Sequence, residues 1–301
     1  MRRTSGQGKV MGNGSKYSSG DELAYTTRWR NSRGRALMEG IAYPLAYLIN
    51  RPTLQPLGRL LYDFALRCNG IGIAFAGKSG LTIAEERFLK NIAKQLRKAT
   101  ILDVGANHGD YASAIKRLAP DSTVYAFEPH PKNFAALKTA ADNSNFTAVP
   151  LAVSNISGTV ELYDFADQDG STQASLGMDT IAFHNSASVS HKIQCTTLDD
   201  FVSGNNIGCI DLLKIDTEGF DLRVLQGGEK TIRAGIAKLI QFEIIPADIV
   251  RKVTVKDFFD ILPKYDLYRL CLNGDLLPMR SYSVKECEIY VTHNIIAKLR
   301  E

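Results

Sequence analysis

Four carboxylates stand at or next to the end of short apolar runs. Asp103 lies in Ile101-Leu102-Asp103-Val104, Glu128 follows Thr123-Val-Tyr-Ala-Phe127, Asp216 follows Ile210-Asp-Leu-Leu-Lys-Ile215, and Glu243 follows Lys238-Leu-Ile-Gln-Phe242. A carboxylate accepts hydrogen bonds from hydroxyls, holds an ammonium group and serves as a general base. Asp103 and Glu128 bracket the turn Gly105-Ala106-Asn107-His108-Gly109, and Glu128 comes 19 residues after Gly109. Glycines without a Cβ bring backbone close to a ligand. In nucleotide-binding α/β units an acid about 20 residues beyond the glycine turn accepts from ribose hydroxyls. The set reads as a site for an adenosine-bearing cofactor.

The glycine spacing is not that of a dinucleotide site, which shows G-x-G-x-x-G so that helix N–H groups approach a pyrophosphate. Asp103 would repel a pyrophosphate but suits the ammonium of an amino acid. S-adenosylmethionine has that ammonium and a ribose, and no phosphate. An NAD-dependent oxidoreductase is therefore disfavoured. A non-catalytic module that binds a nucleotide or S-adenosylmethionine is the other alternative, and it requires Asp216 and Glu243 to be dispensable.

These acids need elements to position them. The four runs above read as strands. A capping box at Thr82-Ile-Ala-Glu85 opens a helix to about Lys98, and Tyr111, Ile115 and Leu118 mark the helix after the turn. Further helices are expected over Phe134–Ala141, from the N-cap Thr197, over Phe220–Gln226, 229–235 and 255–263. Further strands are expected at Phe146–Leu151, Gly158–Phe165 and Lys192–Thr196, with late edge strands at Leu267–Leu272 and Glu288–Thr292 and a short one at Ile71–Phe75. Asp164–Ser190 is a long polar stretch that reads either as a lid or binding loop or as a disordered segment. Alternating strands and helices make an α/β doubly wound sheet whose ligands bind outside the carboxyl ends of the strands. That rule gathers all four acids on one rim.

Residues 1–20 form a basic tail with few large apolar residues and are expected to be disordered. Residues 21–80 form a helical extension broken at Pro44, Pro52 and Pro56, with Leu57, Leu60, Leu61, Phe64 and Ala65 on one face, a surface for packing on the main domain or for a homo-oligomer. Residues 81–301 form the main domain. The net charge of +4 is mild, and much of the basic excess is early: Arg2, Arg3, Lys9, Lys16, Arg28, Arg30, Arg33 and Arg35. No folded aromatic and basic strip accompanies it, so nucleic acid is not the expected partner. The five cysteines are scattered, without zinc spacing, which fits reduced thiols in the cytoplasm. The first 30 residues lack the apolar core of a signal peptide, and Ile41–Ile49 is too short to span a bilayer. Secretion and a transmembrane segment are not expected.

Asp103–Gly109, Phe127–Phe134, Thr197–Phe201, Leu212–Asp221, Val224–Gly227 and Gln241–Ile244 together resemble the FkbM family of S-adenosylmethionine-dependent methyltransferases. The resemblance spans about residues 100–295, and Lys-Ile-Asp-Thr-Glu-Gly (214–219) is its most specific part. It implies a Rossmann-like methyltransferase sheet and O-methylation of a hydroxyl on a sugar, glycolipid or related natural product. By the same resemblance, Asp103, Gly105, Asn107 and Gly109 would line the methionine part of the cofactor. Glu128 would hold the ribose, and Ala152 and Val153 would lie near the adenine.

A sugar hydroxyl is a poor nucleophile, so a positioned base helps. Asp216 is the first candidate and Glu243 the second. Glu218 is the third, with helix capping as its other role. Acids at neighbouring strand ends are also of the type that holds magnesium, but no metal site is expected. His184 and His191 in the polar loop are further base candidates. Nothing in the sequence identifies the acceptor, beyond a small molecule or glycan.

Overall fold

The computed structural model describes residues 33–77, 79–178 and 187–301, with backbone alone over 33–39. They fall into two units that meet at Asp63 and Phe64, earlier than the boundary near residue 80 expected from composition. The first unit contains helix α1 (Arg33–Ile49), a 3-10 turn (Pro52–Leu54) and the start of α2 (Gln55–Cys68). Helix α1 runs through Pro44 where a break was expected. The missing N–H at Pro44 removes one bond of the ladder, and the turns on either side carry the helix across it. The apolar face expected on α2 is at the surface: Leu57, Leu60, Leu61 and Phe64 are all exposed.

The second unit is built on an eight-stranded sheet. Its strands are β1 (Thr100–Val104), β2 (Thr123–Phe127), β3 (Thr147–Val149), β7 (Ile210–Ile215), β8 (Ala237–Ile244), β9 (Tyr265–Leu270), β10 (Leu276–Met279) and β11 (His293–Leu299), in the order β10-β9-β11-β8-β7-β1-β2-β3. From β3 to β8 all pairings are parallel; β11 pairs antiparallel with β8 and β9, and β10 antiparallel with β9. A separate sheet, β4-β6-β5, holds β4 (Ala152–Ser154), β5 (Gly158–Phe165) and β6 (Ser188–Thr197).

The large sheet is covered on both faces, which is why β1 and β7 read as nearly continuous apolar runs. Leu102, Val104, Leu213 and Ile215 enter one core; Ile101 and Leu212 enter the other, under α3 (Ile83–Ile92) and α4 (Asp110–Leu118). Asp103 and Lys214 are register partners on that second face. The capping box at Thr82 and Glu85 forms as expected, and Thr197 caps α6 (Leu198–Gly204).

Several expected boundaries move. The strand placed at 192–196 is a ten-residue strand paired with β5 over residues 188–195, so His191 lies on a strand and not in a loop. His184 lies outside the described residues. The last strand begins at His293, not Glu288, and Ile71–Phe75 is not a strand. Helix α5 (Pro131–Ser144) begins earlier than expected because Pro131 fits a first helical turn after the N-cap His130.

Candidate active site

The order of the main sheet reverses between β1 and β7, and a cleft opens outside their carboxyl ends, as expected for such a sheet. It is an open cleft of about 560 Å³, solvent at its mouth included. Gly105, Asn107, Glu128, Ala152, Val153, Asp216 and Glu218 line it, with Ser171, Thr172 and Ser175 from the segment after β5. Gly105 has φ +79°, and a Cβ there would fall 1.8 Å from the Asp216 carbonyl oxygen. Only glycine lets the β1 turn and the β7 tip touch at this point.

Glu128 is buried and receives two backbone donors: Asn107 N–H to Oε2 at 3.0 Å and His130 N–H to Oε1 at 2.8 Å. Burial outweighs these bonds and raises its pKa to about 7. Asn107 sits at φ +47°, and its side-chain Oδ1 is buried with no hydrogen-bond partner. An unpaired buried acceptor beside a two-fold acceptor carboxylate fits a ligand that brings ammonium and hydroxyl donors. The acceptor set thus suits the ammonium and ribose hydroxyls of S-adenosylmethionine.

Behind the cleft lies a cation that sequence reading passed over. The Lys214 ammonium is buried, 3.1 Å from Asp216 Oδ2 and 3.6 Å from Asp103 Oδ1, and 5.1 Å from the centre of the Tyr111 ring. Burial alone would lower its pKa, but Asp216 and Asp103 outweigh that and hold it well above the usual lysine range. Asp103 is fully buried inside β1 rather than at its tip. Burial lifts it to about 6 against the pull of Lys214. A hydrogen-bonded chain continues away from this group. Tyr111 O–H donates to Gln241 (2.7 Å), and Gln241 donates to Glu85 (3.0 Å) and to Asn294 (2.9 Å). A lone lysine within an apolar run expected to be buried on both faces was the available signal, since lysine is almost never buried unpaired.

Asp221 also went unnoticed. It accepts from Thr217 N–H and O–H on one oxygen and from Glu243 N–H on the other, tying the end of β7 to the end of β8. The Glu218 side chain makes no cap for α7 (Asp221–Gln226). Glu218 adopts φ +52° and faces the cleft, and burial with Asp216 nearby lifts it to about 8. Arg251 and Ser175 both donate to the Glu218 carbonyl. Glu243 lines a smaller neighbouring cavity with Thr82, His293 and Asn294, and burial raises its pKa too. Gly109 is not at the cleft: a Cβ there would meet Leu137 of α5 at 2.8 Å, so its role is helix packing.

A second polar cluster secures the segment after β5. Buried Asp164 accepts from the N–H groups of Phe165, Gly170 and Ser171. Asp169 receives His130 Nε2 at 3.1 Å, His191 Nε2 at 2.6 Å and the Lys132 ammonium. The Lys132 bond, then His191, hold its carboxyl well below the usual range. Among the described residues, His130, Asp169 and His191 bring ligand atoms within 4.8 Å of one another, a spacing that a metal could use. In this structure the two rings are used for hydrogen bonds. His130 Nδ1 accepts from Lys132 N–H (3.2 Å), so the ring proton sits on Nε2 and points at Asp169. A metal needs that lone pair free. The cluster is a hydrogen-bonded latch.

A family model, the methyltransferase FkbM domain, matches residues 103–266. The chain is 23% identical over 232 residues to the 2-O-methyltransferase NoeI of Sinorhizobium fredii, covering 66% of this chain and 95% of that protein. It is 24% identical over 172 residues to the hexuronic acid methyltransferase AglP of Haloferax volcanii, covering 56% of this chain and 66% of that one. A solved O-methyltransferase from Bacillus cereus in complex with SAH overlaps 85% of this chain and 96% of its own, at 10% identity and a TM-score of 0.40. The family match takes in more than half of the chain and all of the strand ends that form the cleft, and the chain belongs to the FkbM family of S-adenosylmethionine-dependent methyltransferases.

Proposed function

We propose that the protein methylates a hydroxyl of a sugar, a glycolipid or a related glycan, with Asp216 as the base. The observation that carries this reading is the pairing of Asp216 with Lys214 at the cleft (3.1 Å). A buried ammonium on Oδ2 fixes the carboxylate and leaves Oδ1 to take the acceptor proton. The names of the two curated relatives, a 2-O-methyltransferase and a hexuronic acid methyltransferase, support the acceptor class.

S-adenosylmethionine would supply an electrophilic methyl group for in-line displacement. The chain's task is then alignment and exclusion of water. Gly105 and Asn107 would hold the amino acid end, with Asp103 and Lys214 fixing the charge behind them. Glu128 would take the ribose hydroxyls on the lone pairs left by its two backbone donors, and Ala152 and Val153 would flank the adenine. Glu218, protonated near neutral pH, would donate to the acceptor, and Glu243 with Asn294 would orient it from the side cavity. The reaction needs no magnesium in this reading. The five free cysteines support a reducing, cytoplasmic setting.

Calorimetric titration with S-adenosylhomocysteine, with and without magnesium, tests the cofactor half. Saturable binding in both buffers is expected, weakened tenfold or more in Glu128→Ala. Methyl transfer to uronic acids and glycolipids tests the acceptor half; transfer to RNA but to no glycan would sink it.

A further inference from the structure

The chain's charge is divided in an unusual way. Residues 1–35 hold eight Lys and Arg against two acids, a net +6; the remaining residues hold 28 against 30, a net −2. All of the positive excess therefore precedes Ala36. Immediately after it come two helices with apolar surfaces turned to solvent. Ile41, Tyr43, Leu45, Tyr47 and Leu48 of α1 are exposed, as are Leu57, Leu60, Leu61, Tyr62 and Phe64 of α2, with Tyr47 at 77% and Phe64 at 65%. Between Ala36 and Phe64 only Glu39, Arg51, Arg59 and Asp63 are charged. A soluble surface rarely leaves so many large apolar side chains together.

We propose that this N-terminal segment binds the surface of an anionic lipid bilayer. Helices α1 and α2 would lie in the headgroup layer, and the net +6 of residues 1–35 would offset the charge of lipid phosphates. None of the described helices is long and apolar enough to cross a membrane. A helix of 17 residues reaches only about 25 Å, short of the ~30 Å hydrocarbon core. Apolar side chains on a helix that cannot span, next to a basic run, fit the interfacial mode of binding. The tyrosines, with an apolar ring and a polar tip, are of the type that sits at headgroup depth.

Charge also separates this partner from the main rival, a second copy of the chain. A two-fold contact through α1 brings two +6 segments together, and Arg33 and Arg35 belong to the helix itself. An anionic bilayer supplies the countercharge that a second copy lacks. A nucleic acid would match the charge but not the apolar face. The inference does not rest on the reaction proposed above, because binding is read without turnover.

The test is co-sedimentation of the full chain with phosphatidylcholine vesicles, with or without one part in four of phosphatidylglycerol. Partition should rise at least tenfold with the anionic lipid and fall again at roughly 1 M salt, where the Debye length shrinks to ~3 Å. Each Arg→Gln change among Arg28, Arg30, Arg33 and Arg35 should weaken partition about fivefold, the equivalent of ~1 kcal/mol per basic residue near the surface. The Leu60→Ser/Phe64→Ser variant should lose tenfold or more while binding S-adenosylhomocysteine as the wild type does, which shows that it is folded. No partition into anionic vesicles at low salt overturns the proposal. So does unchanged partition of the Leu60/Phe64 variant, or a dimer that this variant dissociates without any vesicle binding by the wild type.

Discussion

Two polar clusters flank the cleft, and each is the inverse of the other. At Lys214 one buried cation is held among Asp103 and Asp216 on neighbouring strands. At Asp169 one anion is held among His130, His191 and Lys132, and it sits on the segment between β5 and β6 with 22% of its side chain exposed. The first is carried by strands whose backbones are locked in a parallel ladder and whose neighbours are apolar. The second joins a connecting segment to a helix start. Burial makes the first strong and intolerant of change, since each ion depends on its partner. The second reaches the surface chiefly through Lys132, 62% exposed, while His130 is fully buried. The fixed cluster suits orientation of a reacting group; the second anchors the segment that lines the cleft at Ser171 to Ser175, and we expect it to govern ligand entry and exit.

Substitutions at the two clusters should separate these roles. Asp216→Asn removes the base but keeps the shape, so kcat should fall about 10²–10⁴-fold with little change in S-adenosylhomocysteine affinity; a kcat within threefold of wild type would move the base to Glu218 or Glu243. Lys214→Met leaves Asp103 buried without its cation and should cost about 3–5 kcal/mol in urea unfolding. Adding Asp103→Leu should return most of that stability but not the turnover. If the double variant regains activity, Lys214 serves packing alone. Asp169→Asn should speed release of S-adenosylhomocysteine in stopped-flow measurements about tenfold; an unchanged off-rate would mean that the latch does not govern the cleft.

Glu128 lies between the clusters, bonded to both the β1 turn and His130. Its folded pKa of about 7 exceeds the ordinary 4.5. Between those values the folded state keeps a proton that the unfolded state releases, so the ligand-free protein loses stability as pH rises from about 4.5 through 7. The loss is at most about 3 kcal/mol. Glu128→Gln should flatten that part of the stability profile, and thermal melting across pH 4 to 8 would detect it.

The parts of this site that were legible in the sequence are those set by local rules. Ile101 to Val104 and Ile210 to Ile215 are apolar because both faces of their strands are covered, and Thr82 and Thr197 cap because their side chains reach their own helix N–H groups. Residues whose place depends on distant partners were harder to read. Asp103 reads as a strand tip because nothing local announces Lys214 across the register. Glu288 to Thr292 has the β-branched and aromatic make-up of a strand, yet the ladder with β8 and β9 is made by His293 to Leu299. The segment after Asp164 read as a loop because its residues are polar. Its polar groups are instead used inward, on Asp164 and Asp169.

The place of β11 has a consequence for biogenesis. This strand is the last of the sheet to be synthesised, yet it lies between β8 and β9 and pairs with both. Until the ribosome has passed Leu299, β8 presents an open edge and the β9–β10 hairpin has no seat in the sheet. The cleft-forming strands β1, β2 and β7 emerge well before, so the nascent chain carries a nearly finished cleft beside an unpaired edge. Co-translational quality control, rather than the finished enzyme, would be the first to notice a defect in residues 293–299.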